Sequence, residues 1–452
     1  MNAETSASFE SPRASVLGEA SVLAAGQLLC VIAALASTRL LTGMAPPQVF
    51  GAFSLLTGVL MLLRSSALTP LGQTVNRFYA DTEISGTTWR LKRVLRRWQR
   101  WMIAALASGG ACVALAAWSL ASVPLLVSAA FTGLICLFVI RDIEFSWLNA
   151  SRRHMTYSLW TAADAWVKPL AIVGMIYLAG ASLSSMMTGF LLATAVVMPF
   201  FLRASGRGEM PPTDREASRD ASDDRLARKM LRYALPVIPA PLLGWIAGMG
   251  DRYAICWILD LNHVGLYAAV YSLTSQPFLM LERVTSLTFR PRFFKATASE
   301  NEAERRKVLL IWTATYLGIG TVGVVAISLT SDTLVSFLLA ENYRSGAPLM
   351  MWLAGGNLLL GASRIIESQL HAYKKTHYIL LGRTAGAICV VTVTLSMVWQ
   401  WDLLGAAIAC PIYFALQCLV LACLSYHASR QPYRIAAIQD ADNDLATRRR
   451  AA

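Results

Sequence analysis

The chain has little charge for its length. Only 15% of its 452 residues are Asp, Glu, Lys or Arg, whereas 56% are hydrophobic. A soluble domain of average composition is about 25% charged. This shortage argues against a soluble enzyme or binding protein. It predicts a protein that buries most of its surface in lipid.

The chain also lacks the motifs of several protein classes. Its eight cysteines include no CxxC pair, so we expect neither a metal site nor a disulfide framework. No GxxxxGK[ST] segment is present, and the GxGxxG at 318–323 lies inside an apolar stretch without a preceding strand. We therefore predict no cofactor and no ATP site. The polar N-terminus shows no signal-peptide pattern, so the first apolar stretch is expected to act as an uncleaved anchor.

What the sequence does contain is a series of apolar stretches. Each is near the roughly 20 residues that a helix needs to cross a bilayer. Their number predicts an all-α integral membrane protein with twelve transmembrane helices. The stretches are 18–42, 48–70, 101–122, 124–149, 156–180, 184–203, 232–258, 263–289, 308–330, 347–372, 377–399 and 403–427.

Basic residues outside these stretches lie on one side of them. They crowd into the N-terminus, every second loop and the C-terminus, whereas the intervening loops hold only Arg344. This positive-inside pattern predicts a multi-pass protein of the bacterial cytoplasmic (inner) membrane with both termini in the cytoplasm. The net charge of +13 then reflects attraction to anionic inner-leaflet lipid. Membrane lipids, and not nucleic acid, are the expected partners.

A polar segment divides the chain. Residues 204–231 are rich in Ser, Asp and Arg and lack apolar periodicity, which is typical of a flexible cytoplasmic linker. They separate an N-terminal six-helix half, 1–203, from a C-terminal six-helix half, 232–427, and a cytoplasmic tail follows at 428–452. A second cytoplasmic segment, 89–101, places Trp and Leu on one helical face and Arg on the others. It predicts an amphipathic helix that lies on the lipid surface.

The two halves repeat each other in sequence order. Because each half holds an even number of spans, both have the same orientation, and their pseudo-two-fold axis runs along the membrane normal. Repeats of this kind place the substrate site between the halves. The matched segments are Gly51 with Gly265, Phe53 with Tyr267, Asn76–Tyr79 with Pro291–Phe294, Arg141–Glu144 with Arg364–Glu367, and Ala150–Arg153 with Ala372–Lys375.

Two six-helix halves are the layout of the multidrug/oligosaccharidyl-lipid/polysaccharide exporter superfamily. Gly250–Tyr253 with Val264–Tyr267 resembles the start of the second half in its polysaccharide-transporter (oligosaccharide flippase, Wzx-like) branch, and Arg39–Leu41 with Phe50–Phe53 resembles the first hairpin. The resemblance implies a flippase for polyprenyl-pyrophosphate-linked oligosaccharide in O-antigen (lipopolysaccharide) or exopolysaccharide biosynthesis. It also implies a monomer that works by alternating access, with a polysaccharide polymerase and chain-length machinery as partners.

Eight basic residues inside the spans are the candidates for the substrate site. Burying Arg or Lys in hydrocarbon costs roughly 2.5–3.5 kcal/mol each, so such residues persist where they face a water-filled cavity or a partner. A guanidinium stays charged and binds phosphate oxygens bidentately, which suits a lipid pyrophosphate. We therefore predict a cationic central cavity that binds substrate through Arg39, Arg64, Arg141, Arg252, Arg283 and Arg364.

Several of these arginines are also compatible with structural roles. Arg141 and Arg364 each precede a Glu by three residues, on the same helical face, so internal ion pairs with Glu144 and Glu367 are open alternatives. Arg64 has no acid nearby in sequence and is the strongest ligand candidate.

The remaining charges in the spans have two interpretations each. Arg39 and Arg383 lie near span ends and could extend to the interface instead of binding substrate. Asp164, Lys168 and Glu367 are candidates for coupling transport to an ion. The Asp164–Lys168 pair is equally compatible with a structural lock.

Span 7 and the outer loops bear on mechanism. Three prolines and three glycines between 236 and 250 predict a kinked helix, either a hinge for alternating access or a static bend.

A multidrug exporter of the same superfamily is the alternative function, but it would need buried carboxylates in the first half, where span 1 offers only Glu19. A polymerase or ligase would need a large outer loop, and the longest runs only from 331 to 346. We therefore predict that the protein is not an enzyme.

Overall fold

The computed structural model describes residues 12–121, 124–205, 221–299 and 301–430. These residues form helices and turns and no strand, as the sequence predicts. Short 3-10 turns occupy Leu235–Val237 and Glu341–Gly346. The helices are α1 Pro12–Met44, α2 Pro47–Ile84, α3 Thr88–Ala121, α4 Leu125–Ala150, α5 His154–Ala179, α6 Leu183–Ala204, α7 Ala221–Ala234, α8 Pro239–Ile258, α9 Leu261–Ala298, α10 Glu302–Leu329, α11 Ser331–Leu338, α12 Leu349–Ala372 and α13 Thr376–Arg430.

The helix lengths fit a multi-pass membrane protein. Eight of the described helices are long and apolar enough to cross a membrane. The longest, α13, bends sharply where Trp401 and Asp402 leave the helical conformation, so it consists of two helices that match predicted spans 11 and 12. Helices α1, α3 and α9 coincide with predicted spans 1, 3 and 8. The count of twelve crossings stays a prediction.

Helix packing within the two halves follows the same plan. In the N-terminal half α1 packs on α5, α2 on α4 and α3 on α4. In the C-terminal half α8 packs on α13, α9 on α12 and α10 on α12. Helix α2 contacts both α8 and α9, so it is the principal link between the halves.

Two turns support the sequence repeat. Arg152 follows α4 and Lys374 follows α12, and the sequence alignment pairs them. Both adopt a left-handed conformation, with φ of 57° and 56°. In each turn the next residue donates its backbone N–H to a carbonyl of the preceding helix at 3.0 Å. Non-glycine residues seldom adopt positive φ, so the same rare turn at matched positions is a specific likeness.

The halves meet tightly where α2 and α9 begin. A Cβ on Gly51 would overlap a carbonyl oxygen of α9, and a Cβ on Gly265 would overlap the carbonyl oxygen of Pro47. Glycine at both positions therefore lets the two backbones touch. Close by, the Tyr343 hydroxyl donates to the Ala45 carbonyl at 2.9 Å. This end of the interface between the halves is closed.

The prediction of a flexible linker is wrong from Ala221 onward, because helix α7 begins there. Helix α7 packs on α2 and α3. Its Asp223 accepts from Arg93 at 3.3 Å, Asp224 accepts from Arg97 at 2.8 Å, and Met230 is fully buried. The rest of the predicted linker, 206–220, lies outside the described residues, as does the tail beyond Arg430.

The predicted amphipathic face of 89–101 is confirmed, but protein covers it instead of lipid. Leu91, Val94 and Leu95 are buried in the main core cluster. The segment is the first part of α3, and the linker helix α7 packs against α3. A lipid-lying connector is therefore not what this segment forms.

The prolines of predicted span 7 lie at a 3-10 turn between two helical segments, and the backbone stays right-handed helical at Ala234 and Ile238. Helix α7 ends at Ala234, a 3-10 turn follows, and α8 starts at Pro239. A proline in the first helical turn loses nothing, because its N–H would have no partner there in any case. The turn thus lies at the start of the span and joins the linker helix to the C-terminal half.

Candidate functional site

Five charged side chains from α2, α4 and α5 form one network in the N-terminal half. Arg64 makes a bidentate ion pair with Asp142, in which Nη2 donates to Oδ1 at 3.0 Å and Nε donates to Oδ2. Arg141 donates to Asp164 at 2.8 Å and to Asp142 at 3.4 Å. Lys168 donates to Asp164 at 2.5 Å. These five side chains comprise three cations and two anions.

The ring of Phe138 lies at the centre of these cations. The Arg141 guanidinium carbon is 4.5 Å from the ring centroid, that of Arg64 is 5.5 Å away, and the Lys168 ammonium is 5.8 Å away. The negative face of an aromatic ring attracts a cation within about 6 Å. Phe138 therefore helps to hold three like charges close together.

The C-terminal half contains corresponding ion pairs. Arg364 of α12 lies 3.7 Å from Glu282 of α9. Arg383 of α13 makes a bidentate pair with Glu367 of α12, at 2.9 and 3.0 Å. The same guanidinium donates to the Ala240 carbonyl of α8 at 3.2 Å. Four helices of this half are thus joined by charged groups.

The two halves share one ion-pair plan with the charges reversed. Between α2 and α4 the cation comes from α2, whereas between the matching helices α9 and α12 it comes from α12. Between α4 and α5 the cation comes from α4, whereas between α12 and α13 it comes from α13. The repeat preserves which helices an ion pair connects, but not which of the two helices supplies the cation.

In two of these pairs, Arg64–Asp142 and Arg364–Glu282, the cation is exposed and the carboxylate lies behind it. The Arg64 side chain is 44% exposed and Asp142 12%. The values are 42% for Arg364 and 14% for Glu282. The accessible part of each pair is therefore a guanidinium that a buried acid orients.

A cavity of about 510 Å³ lies beside Arg64, between α2, α4 and α5. Its volume is within the roughly 300–1,000 Å³ of small-molecule sites. Arg64 and Asp142 are part of its wall, together with amide, hydroxyl and aromatic side chains such as Gln73, Asn149 and Tyr157. The cavity lies toward the Ile84 end of α2, away from the closed contact at Gly51.

The structure places Arg252 in a different environment. Its side chain is 6% exposed, lies 3.8 Å from Asp251 and stacks over Tyr271 at 4.6 Å from the ring centroid. Asp251 in turn accepts from the Tyr267 hydroxyl at 2.7 Å and from Tyr413 at 3.4 Å. This buried network is not part of the cavity wall described above, so the predicted contact of Arg252 with substrate has no geometric support.

Arg39 and Arg283 are both exposed. Arg39 lies near the end of α1, where the sequence leaves both a ligand role and extension to the interface open.

Arg141 and Arg364 both make ion pairs with acids of other helices. Arg141 binds Asp164 of another helix, and Arg364 lies against Glu282. Arg383, expected to extend to the interface, is instead bound to Glu367. Sequence reasoning did not identify Asp142, Glu282 and Arg383 as partners. The sequence feature that could have identified them is an acid or base inside an apolar span, at the same membrane depth as an opposite charge on another span.

No protein-family model and no curated protein matches the sequence. Solved structures match the fold. An inward closed conformation of the lipid II flippase MurJ aligns with a TM-score of 0.69 and 11% identity, covering 89% of this chain and 87% of that one. An outward-facing multidrug resistance MATE transporter of the MOP superfamily aligns with a TM-score of 0.63 and 14% identity, covering 93% and 95%.

A MOP superfamily transporter from Pyrococcus furiosus, described by the reverse polarity of its binding pocket, aligns with a TM-score of 0.64 and 12% identity, covering 90% and 94%. These neighbours are membrane transporters and flippases and not enzymes. At such low identity the likeness shows the fold alone. The chain is an all-helical, multi-pass membrane protein with the fold of the MOP-superfamily transporters.

Proposed function

We propose that the protein is a flippase that moves polyprenyl-pyrophosphate-linked oligosaccharide from the inner to the outer leaflet of the cytoplasmic membrane, for O-antigen or exopolysaccharide biosynthesis. The observation that carries this proposal is the arrangement at Arg64. An exposed guanidinium lines a cavity and is oriented from behind by the buried carboxylate of Asp142. Such a group offers its free donors to an anion from the cavity.

The charge of the network suits a pyrophosphate. Arginine binds phosphate oxygens through two parallel N–H groups, and the network brings together the three cations Arg64, Arg141 and Lys168. The exposed Arg283 and Arg364 of the other half add cations that a polyanion could meet during transport. The aspartates lower the cost of keeping these cations in the membrane between substrates.

The position of the cavity favours loading from the cytoplasm. Arg64 lies roughly 25 Å along α2 from Pro47, close to the inner side of a hydrocarbon core about 30 Å thick. The opposite end is closed by the contact of Gly51 with α9. With the topology that the positive-inside pattern predicts, this is an inward-facing arrangement. The likeness to a lipid II flippase supports a lipid-linked substrate.

A multidrug exporter is the second candidate, because MATE transporters share the fold and the N-terminal half does contain two carboxylates in its spans. Asp142 is 12% exposed and Asp164 is 17% exposed. Both are bound by arginine or lysine. Among the described residues of this network the most exposed charge is Arg64, at 44%, which disfavours a cationic drug as substrate.

A charge swap between Arg64 and Asp142 tests the proposal. We expect Arg64→Ala to weaken binding of a short-chain polyprenyl pyrophosphate by the purified protein about ten- to a hundredfold, the loss of a strong charge-assisted contact. The double variant Arg64→Asp with Asp142→Arg retains an ion pair and should recover thermal stability, but not binding, since its guanidinium occupies the buried position.

Arg77→Ala is the matched control, because Arg77 lies on the same helix, is exposed, and pairs with Asp81 outside the cavity wall. It should bind like the unaltered protein. If the double variant binds as tightly as the unaltered protein, or if Arg64→Ala binds normally, phosphate capture at this site is wrong.

A further inference from the structure

The wall of the cavity beside Arg64 mixes polar and apolar side chains and carries almost no net charge. Of the described residues that line it, Arg64 and Asp142 alone are charged, and they neutralise each other in a bidentate pair. The rest of the wall consists of amides, hydroxyl groups, aromatic rings and apolar side chains. A pyrophosphate that binds Arg64 would therefore leave most of this volume to a neutral, hydroxyl-rich group.

Three side-chain amides are free to bind such a group. Gln73 and Asn76 of α2 and Asn149 of α4 are exposed and line the cavity. Within the described part of the chain, none of these amides takes part in a hydrogen bond. Each amide offers two N–H donors and a carbonyl acceptor, which is the combination that sugar hydroxyls and N-acetyl groups require.

The polar groups of α2 form a row on one face of the helix. Ser65, Thr69, Gln73 and Asn76 follow at spacings of four, four and three residues, so they lie one above another. The row covers roughly 17 Å, enough for more than one sugar ring. It begins one residue from Arg64. A chain of sugars attached to a bound pyrophosphate would run along it.

An aromatic pair on the facing wall completes the site. Phe145 and Tyr157 line the cavity and pack edge to face, with centroids 5.2 Å apart. Sugar rings carry C–H groups on one face and hydroxyls around the edge. An aromatic wall together with a row of hydroxyl and amide side chains on α2 matches both features.

The amides are not required by the fold, because the repeat does not preserve them. The alignment of the halves places Pro291 at the position of Asn76, Thr288 at the position of Gln73, and His371 at the position of Asn149. A row that served helix packing would be expected in both halves. Its restriction to the N-terminal half indicates a ligand that contacts this half.

We propose that this cavity binds the sugars next to the pyrophosphate and selects uncharged ones. The inference rests on the proposed flippase function. Among the described residues of the cavity wall, a sugar carboxylate at this position would find no cation beyond the Arg64 that the pyrophosphate occupies, and it would approach Asp142. Neutral hexoses or N-acetylated hexoses meet only groups that bind them.

Three lipids test the proposal on the full-length protein in lipid nanodiscs: a short-chain polyprenyl pyrophosphate alone, the same lipid with a neutral N-acetylated disaccharide, and the same lipid with a uronic acid as first sugar. We expect the neutral glycolipid to bind at least tenfold more tightly than the bare lipid. The uronic-acid lipid should bind no more tightly than the bare lipid.

Variants locate the effect. Gln73→Leu with Asn149→Leu should reduce affinity for the neutral glycolipid to that of the bare lipid, while affinity for the bare lipid stays unchanged. Thr288→Leu, at the matching exposed position of α9, is the control and should change neither value.

Each other outcome overturns the inference. Equal affinity for bare and neutral lipids would show that the cavity contributes no sugar contacts, while leaving the flippase proposal intact. Tight binding of the uronic-acid lipid would remove the selection for neutral sugars. A parallel loss of bare-lipid affinity in the leucine variant would show a structural role for the amides. If none of the three lipids binds the unaltered protein, the proposed function itself fails.

Discussion

At the scale of single residues, the structure separates arginines that can meet a substrate from arginines that hold the protein together. Arg64 and Arg364 expose their guanidinium groups, whereas Arg252 is enclosed beside Asp251 and over Tyr271. An enclosed cation with its acid is costly to disrupt, because removing one partner leaves the other buried and uncompensated. The two groups should therefore respond differently to substitution.

Arg252→Ala is expected to destabilise the protein without a direct effect on substrate binding. Breaking a buried pair of this kind costs about 3–5 kcal/mol, so thermal unfolding in detergent should begin at a clearly lower temperature. Binding of polyprenyl pyrophosphate, measured well below that temperature, should be close to normal. Arg39→Ala, at an exposed position, serves as the stability control. An unchanged unfolding temperature together with lost binding would show that Arg252 contributes to substrate binding.

Residue partners were the part of the site that sequence could predict least. The Asp164–Lys168 contact was predictable, because the two are one helical turn apart, and it is confirmed at 2.5 Å. Arg64 has no acid nearby in sequence because its partner Asp142 is 78 positions away on another helix. The spacing of charged residues within one helix predicts ion pairs along that helix, but it does not predict which helices pack together.

At the scale of helices, the glycine crossing of α2 and α9 is the contact that closes one end of the molecule. Sequence comparison of the halves picks out Gly51 and Gly265 as a matched pair. It does not show that they meet each other. The structure places each against the backbone of the other's helix. In an alternating-access cycle this contact would have to open in the outward-facing conformation.

Gly51→Ala should shift the protein away from the inward-facing arrangement, because a Cβ there overlaps the backbone of α9. Overpacking typically costs about 1–3 kcal/mol, enough to shift a balanced equilibrium at least fivefold. In a chain otherwise free of cysteine, labelling of Asn149→Cys from the cytoplasmic side should slow accordingly. Gly43→Ala is the control, since a Cβ there meets nothing within 4 Å. Equal labelling in both variants would show that the crossing is not a gate.

Helix boundaries were predictable where the apolar pattern was uniform. They were not predictable where short polar segments and helix-breaking residues adjoin a helix. Residues 204–231 combine a polar stretch with the first part of α7, so their composition as a whole does not indicate the helix. The prolines at 236–241 predicted a kink, and the structure has a 3-10 turn between α7 and α8 at this place. Their place in the first turn of α8 could not be distinguished from a kink within one span.

At the scale of the whole molecule, the all-α architecture was predictable because hydrophobicity and turn residues act locally. The count of twelve spans and the two-fold repeat stay predictions, and the matched turns at Arg152 and Lys374 agree with the repeat. The reversed polarity of the ion pairs was not predictable, because it depends on contacts between helices. The membrane orientation rests on the distribution of Lys and Arg alone, and it determines on which side the cavity loads.

Cysteine labelling tests that orientation. A cysteine in place of Asp332, which is exposed on α11, should react with a membrane-impermeant thiol reagent in intact cells. A cysteine in place of Ser299, exposed between α9 and α10, should react only after lysis. The reverse result would put the cavity on the outer side and contradict loading from the cytoplasm.

Translocation itself is the most direct test of the proposed function. Purified protein in liposomes, supplied with a fluorescent polyprenyl-pyrophosphate-linked neutral oligosaccharide, should move the lipid between leaflets, as read by loss of protection from a membrane-impermeant quencher. The account predicts transfer well above that of protein-free liposomes, abolished by Arg64→Ala and retained in Arg77→Ala. No transfer by the unaltered protein, together with protein-dependent accumulation of a cationic dye in the same liposomes, would contradict the flippase proposal and favour a multidrug exporter.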